Sequence, residues 1–285
     1  MSDHLDYIGS VGIIGAGWLG LPLSLTLQEK GVKVVASATN LDSEDKLKQR
    51  GLNTCRLNLP DIDNTCSLLQ CQHLVICIPP GIRYGKSDYV AKISAIVDQV
   101  ELEQCAVQSI TLLSSTAVYN GLFGEVTEDS VLNLQGAKVD IMHQAEQAIL
   151  TSKCTNKAVL RLGGLMGYDR QPGRFFNNGK VIPNPESVIN FIHRDDVIGI
   201  ICQLLVSFQN NVSLKNPTNI FNCVAPHHPT RRNFYQKALS SLGMPMASFS
   251  DQEESDGKLV NSKFIGYLQY QFKYADIMAC LESSS

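Results

Sequence analysis

A chain of 285 residues, 44% hydrophobic and 18% charged, has the composition of a globular protein with a sizeable core, in one large domain or two small ones. Its formal net charge of -3 gives no global attraction to nucleic acid or to an anionic membrane. No apolar run approaches the ~20 residues of a membrane helix. Asp3 and Asp6 stand where a signal peptide would be basic, so a cytoplasmic protein is expected, without membrane or nucleic-acid partners. The nine cysteines are scattered without a C-x-x-C, and read as reduced core thiols rather than metal ligands.

The first element is an apolar strand, Val11-Gly12-Ile13-Ile14, which breaks into Gly15-Ala16-Gly17-Trp18-Leu19-Gly20 and opens a helix to about Lys30. This is G-x-G-x-x-G between strand and helix, with Leu23 and Leu27 at helical spacing, Gly31 as a stop and a second strand over 33–37. Gly15 permits the tight turn, Gly17 lets backbone approach a pyrophosphate, and Gly20 lets helix and strand pack closely. The helix amino end offers unpaired N–H groups and a positive dipole end to phosphate. A dinucleotide site is expected here, with Trp18 and Leu19 inside its loop.

The alternation continues with a strand over 54–58, a short helix over 65–70, a strand over 73–78, a helix over 87–103 and a strand over 109–113. Two more strands follow, 158–162 and 219–224, with a short apolar segment at 189–192 and a helix from Asp195 or Asp196. Continuous apolar runs suit a parallel sheet covered on both faces. Right-handed crossovers make it an α/β, doubly wound parallel sheet of seven strands, with ligand at the strands' carboxyl ends. Those ends put Ser37, Ala38, Thr39, Asn58, Ile78, Pro79 and Pro80 around the cofactor. The expected boundaries are 8–162 with 189–224 for the Rossmann domain, and 163–188 with 225–285 for a small discontinuous C-terminal cap, helical and mixed from Pro226.

After Leu113 the chain reads Ser114-Ser115-Thr116-Ala117-Val118-Tyr119, which resembles the S-S-x-x-V-Y-G signature of extended short-chain dehydrogenases, the NAD-dependent epimerase/dehydratase superfamily. Leu160-Arg161-Leu162-Gly163-Gly164-Leu165-Met166-Gly167 and Phe191-Ile192-His193-Arg194-Asp195-Asp196-Val197 are similar to its later motifs, in the same order. The glycine spacing is shorter than usual, and the helix over 136–146 has no tyrosine for a Y-x-x-x-K pair. That combination resembles the atypical YeeZ-like branch, which shares a G-W-L-G loop and Pro172-Gly173-Arg174-Phe175-Phe176.

The resemblance implies that Ser115 polarises the substrate carbonyl, that Ser114 lies near the cofactor, and that Asn58 holds the adenine. Aligning Glu146 with the acid that often ends the family's helical motif puts Lys138 in the tyrosine slot and Met142 in the lysine slot. Lys138, with a pKa lowered by desolvation, is one proton donor; Tyr119, beside Ser115, is the other. The bland alternatives are a strand-end turn for Ser115, an exposed lysine, and a packed tyrosine.

No carboxylate ends the second strand, and the small hydroxyl of Ser37 there accommodates a 2′-phosphate, so NADP is favoured over NAD. Arg174 beside Phe175 suits an anionic or sugar-like substrate, while Arg231 and Arg232 read as solvated. The expectation is a monomeric or homodimeric NAD(P)-dependent oxidoreductase of a small polar carbonyl or sugar-derived compound. An epimerase/dehydratase-like enzyme and a non-catalytic dinucleotide-binding regulator are the alternatives.

Overall fold

The computed structural model describes residues 8–63, 65–82, 87–102, 105–176, 181–212, 214–250 and 257–281. The first elements are β1 (Ser10–Ile14), α1 (Gly20–Glu29), β2 (Lys33–Ala38), α2 (Leu41–Lys48) and β3 (Asn53–Arg56). β1 forms because Val11, Ile13 and Ile14 are all buried. In α1 the pair Leu23 and Leu27, four apart, seals one face at 0% exposure, and Gly31 at φ +80 ends the helix. α2 was not foreseen, although its start is written in the chain. Asn40 and Ser43 cap each other reciprocally, with the Ser43 N–H donating to Asn40 Oδ1 at 2.9 Å.

A 3-10 turn (Ser67–Gln70) replaces the short helix expected over 65–70, and leads into β4 (His73–Ile76) and α3 (Tyr89–Val100). The expected helix end, Glu103, lies outside the described residues. α3 buries Tyr89, Ile93, Ile96, Val97 and Val100 along one stripe. Then come β5 (Ser109–Ser115), a 3-10 turn (Thr116–Tyr119), β6 (Gly124–Val126), α4 (Ala137–Leu150), β7 (Asn156–Leu162) and β8 (Gly164–Met166). β9 (Phe191–His193), α5 (Arg194–Gln209), β10 (Ile220–Cys223), α6 (Arg231–Ser240) and β11 (Lys258–Val260) complete the set.

The central sheet has seven strands in the order β10-β7-β5-β4-β1-β2-β3. β1 pairs in parallel with β2 on one side and with β4 on the other. The winding therefore reverses beside β1, and the crevice beyond the carboxyl ends of β1 and β4 is where an open α/β sheet takes its ligand. The expected α/β doubly wound sheet is the observed one.

The chain divides into two compact units. The first contains Met1–Ser114, Leu134–Leu160 and Ile200–Ile220. Its core joins Ile14, Leu74, Ile76 and Leu112 from the strands to Ile93, Ile96 and Ile149 from the helices, with Leu68 packed among them. The second contains Ser115–Asn133, Arg161–Gly199 and Phe221–Ser285. Residues 115–133 and 189–199, which the strand pattern grouped with the sheet, cluster there. Its core is built on Met166, Ile182, Phe234, Ala238 and Ile277.

Among described residues after Pro226, the helical pattern reduces to α6, with a short strand and two 3-10 turns. A carboxylate does here what a helix would have done. Asp196 accepts the Lys273 and Tyr274 N–H groups at 2.7 and 3.1 Å, and the Tyr270 hydroxyl at 2.8 Å. Backbone donors outside helix and sheet still need partners, and here a side chain supplies them. Asp196 thus ties down irregular chain instead of capping α5, which begins at Arg194.

Candidate functional site

The glycine loop lies at the carboxyl end of β1, and its three glycines differ in what surrounds them. Gly15 has φ +99, and a Cβ there would meet Ile78 Cγ2 at 2.9 Å and the Ile78 nitrogen at 3.0 Å. A Cβ on Gly20 would stand 2.2 Å from the Gly15 carbonyl oxygen. Both positions exclude any side chain. A Cβ on Gly17 would meet nothing within 4 Å, so that glycine is exposed and its backbone is open to approach. Leu19 precedes α1 without a side-chain cap, and no acidic residue occupies the first turn. The amino end of α1 is thus uncapped and free of repelling charge, as phosphate binding requires. Leu19 is buried and Trp18 half-buried. These features fit a dinucleotide pyrophosphate.

Ser37 Oγ accepts the Gly15 N–H at 2.8 Å, so the hydroxyl holds the loop and keeps its own proton to donate. Ala38 is buried and Thr39 exposed beyond it, and neither carries a charge. Glu44, on α2, is held by Lys48 at 2.7 Å and by Arg56 at 2.9 Å. Those hydrogen bonds lower its carboxyl to about 2.

Asn58 falls past the end of β3 rather than within it, in a turn where the Asp61 N–H donates to its carbonyl at 3.0 Å. Its side chain is exposed. After β4, Ile78 packs against Gly15, Pro79 is exposed, and the Pro80 carbonyl accepts the Ser87 hydroxyl at 2.6 Å.

The two strand-end serines diverge. Ser114 donates to Glu146 Oε1 at 2.5 Å, and Glu146 is fully buried on α4. The hydroxyl of Ser114 therefore joins strand to helix at the carboxyl end of β5. Ser115 Oγ accepts the Ala117 N–H at 3.1 Å and caps the following turn. Accepting that bond leaves the Ser115 proton to be donated.

Tyr119 is corrected from proton donor to packing residue. It is 0% exposed, donates to Asn222 Oδ1 at 2.8 Å and accepts from Arg161 Nη1 at 2.8 Å. Burial raises its pKa and outweighs the opposing Arg161. Lys138 lies exposed in the first turn of α4, two turns before Glu146 on the stripe that also carries Met142. The chain around it does not supply the desolvation that its expected role requires.

Within the second unit, a cleft of about 540 Å³ is lined by Thr116, Asn120, Ser187, Arg231, Tyr235 and Lys258, among others. Two of its lining residues are cations and none is acidic. Arg231 donates to the Pro183 carbonyl at 3.0 Å, and Lys258 to Asn120 Oδ1 at 2.7 Å. Arg174 and Phe175, expected to meet substrate, are exposed and do not line this cleft. Phe176 is the ring that packs, on Tyr235 at 4.7 Å. The cleft cations were missed because Arg231 and Lys258 are 27 residues apart and carry no motif. Among described residues no cluster of His, Cys, Asp or Glu could hold a metal, and no helix is long and apolar enough to cross a membrane.

Sheet order, switch point and glycine loop define a doubly wound Rossmann-fold protein. Human epimerase family protein SDR39U1, solved with NADPH, matches at TM-score 0.70 and 18% identity over 96% of this chain and 98% of that one. MoeE5, solved with UDP-glucose and NAD, matches at TM-score 0.75 and 17% identity over 97% of each chain. Protein YeeZ of Escherichia coli (strain K12) is 31% identical over 275 residues, which cover 93% of this chain and 96% of that protein. The chain belongs to the YeeZ family. No family model matches it.

Proposed function

We propose that this protein is an NAD(P)-dependent oxidoreductase, or an epimerase/dehydratase-like enzyme, acting on a small anionic carbonyl or sugar-derived compound. The observation that carries this is the glycine loop, closed at Gly15 and Gly20, open at Gly17, and followed by an uncapped helix. Proteins of the same fold hold NAD or NADPH, which supports the same ligand class here. Gly15, Gly17 and Gly20 with the amino end of α1 would hold the pyrophosphate, and Ser37 keeps the loop in shape. NADP is the favoured dinucleotide, because Ala38 and Thr39 bring no carboxylate to repel a 2′-phosphate.

When bound, the nicotinamide supplies hydride transfer. Ser115 donates its remaining proton to a carbonyl oxygen and withdraws charge from the carbon. Arg231 and Lys258 give the cleft a positive sign, and a carboxylate or phosphate on the substrate satisfies it. An oxidised glycosyl or acyl compound fits this pair better than a neutral alcohol.

A binding-only regulator is the second reading, favoured by the buried Tyr119 and the missing Y-x-x-x-K. Thermal shifts with the four nicotinamide dinucleotides separate the possibilities. A ligand at ~100 times its dissociation constant adds about 2.7 kcal/mol of stability. Larger shifts with the phosphorylated pair support NADP, and no shift with any of the four removes the whole proposal. With binding established, turnover of anionic carbonyls that fails in Ser115→Ala and weakens in Arg231→Ala supports the enzyme. Binding without turnover across a broad carbonyl panel supports the regulator.

A further inference from the structure

We propose that Cys55 and Cys66 are a reversible intramolecular disulfide site, closing the loop that carries Asn58. Their sulfurs stand 3.2 Å apart, both half-buried, 11 residues apart in sequence. That is inside the ordinary contact distance of two sulfur atoms. A bond at ~2.05 Å requires an approach of only about 1.2 Å. The Cys55 thiol also faces the Arg56 carbonyl at 3.8 Å, and three other thiols face backbone carbonyls. Cys71 faces the Ser67 oxygen at 3.7 Å, Cys105 that of Leu69 at 3.6 Å, and Cys223 that of Phe221 at 3.7 Å.

The two sulfurs are brought together by separate pieces of structure. Cys55 is fixed by β3, in register with Ser37 on β2. Cys66 precedes the 3-10 turn at Ser67–Gln70 and donates its N–H to the Asp63 carbonyl at 3.2 Å. Between them the chain is turned at Asn58–Asp61, where the Asp61 N–H bonds back to the Asn58 carbonyl. A crosslink would therefore join β3 to the residue that precedes the 3-10 turn.

The oxidant is a low-molecular-weight disulfide such as oxidised glutathione. The Cys55 thiolate attacks one of its sulfurs, the S–S bond breaks, and one glutathione thiolate leaves. The Cys66 thiolate then attacks Cys55 Sγ in the mixed disulfide and expels the second glutathione. Two protein thiols lose two electrons and the small disulfide gains them. The two protons finish on the two released glutathiones. Burial, and then the neighbouring Cys55 thiol, pushes Cys66 up to about 12, so the second step is slow at neutral pH and accelerates as pH rises.

The test needs no dinucleotide, so its outcome is independent of the functional proposal above. The full chain is equilibrated in mixtures of reduced and oxidised glutathione, acid-quenched, alkylated with a maleimide and mapped by mass. The expected product has two of its nine thiols protected, a mass lower by two hydrogens, and a crosslinked Cys55–Cys66 peptide released by dithiothreitol. Its heat-unfolding midpoint rises on oxidation. Cys66→Ser holds glutathione on Cys55, Cys55→Ser forms no crosslinked peptide, and neither shows the rise. Nine alkylated thiols at every redox ratio would overturn the proposal, as would a stable mixed disulfide in the unaltered chain or a bond mapped to other cysteines.

Discussion

The Gly15 N–H donates to Ser37 Oγ at 2.8 Å, tying the turn after β1 to the end of β2. One hydroxyl thereby sets the shape of the glycine loop from the neighbouring strand. Ser37→Ala removes that bond without adding bulk. A net hydrogen bond contributes about 0.5–1.5 kcal/mol, so dinucleotide affinity should fall by roughly threefold to tenfold. The loss should be equal for NAD and NADP when measured by titration calorimetry. A loss confined to NADP would return Ser37 to direct contact with the 2′-phosphate.

The glycines separate folding from binding. Gly20→Ala drives a methyl to 2.2 Å from the Gly15 carbonyl oxygen, a backbone atom that cannot swing aside. It should lower stability by about 1–3 kcal/mol or more in denaturant unfolding. Gly17→Ala adds a Cβ that meets nothing within 4 Å and should leave the unfolding midpoint nearly unchanged, and Gly17→Val extends that side chain over the loop. Its side chain would occupy the space over the loop, so dinucleotide affinity should drop at least about tenfold, or 1.4 kcal/mol. Equal binding by Gly17→Val would place the phosphates elsewhere.

Tyr119→Phe leaves Asn222 Oδ1 and an Arg161 N–H without their partner in a buried network. The cost should be about 1–3 kcal/mol of stability. Any turnover per folded molecule should persist, because the hydroxyl faces Arg161 and Asn222 rather than solvent. A collapse of kcat with unchanged stability would restore Tyr119 to the chemistry.

His73 is buried between Ser109 Oγ at 2.8 Å and Gln209 Oε1 at 3.1 Å. Burial lowers its pKa below 6.5, against a smaller raising contribution from Gln209. The unfolded chain therefore takes up a proton near pH 6.5 while the folded imidazole stays neutral. Stability from this group is complete above pH 6.5 and is lost as pH falls through the folded-state value, at no more than about 1.4 kcal/mol per pH unit. Burial lowers His193 and His228 in the same direction. His73→Asn should flatten the slope of unfolding free energy against pH below 6.5; an unchanged slope would mean the ring is protonated in the fold.

The sheet and the loop could be read from the chain because their causes are local. Apolar runs such as Val11-Gly12-Ile13-Ile14 have a strand's pattern, and glycines at fixed spacing mark a backbone that admits no side chain. The capping pair that starts α2 was equally local, and went unread only because it lies beside no apolar stripe. What a hydroxyl or a cation does is set by distant chain. Ser37 is drawn to Gly15, Ser114 to Glu146, and Tyr119 to Asn222 from 103 residues away. Arg231 and Lys258 become one positive cleft only when α6 and β11 are folded around it. Backbone form follows from neighbours in sequence, whereas the use of a polar side chain depends on which partner the packed fold brings within about 3 Å.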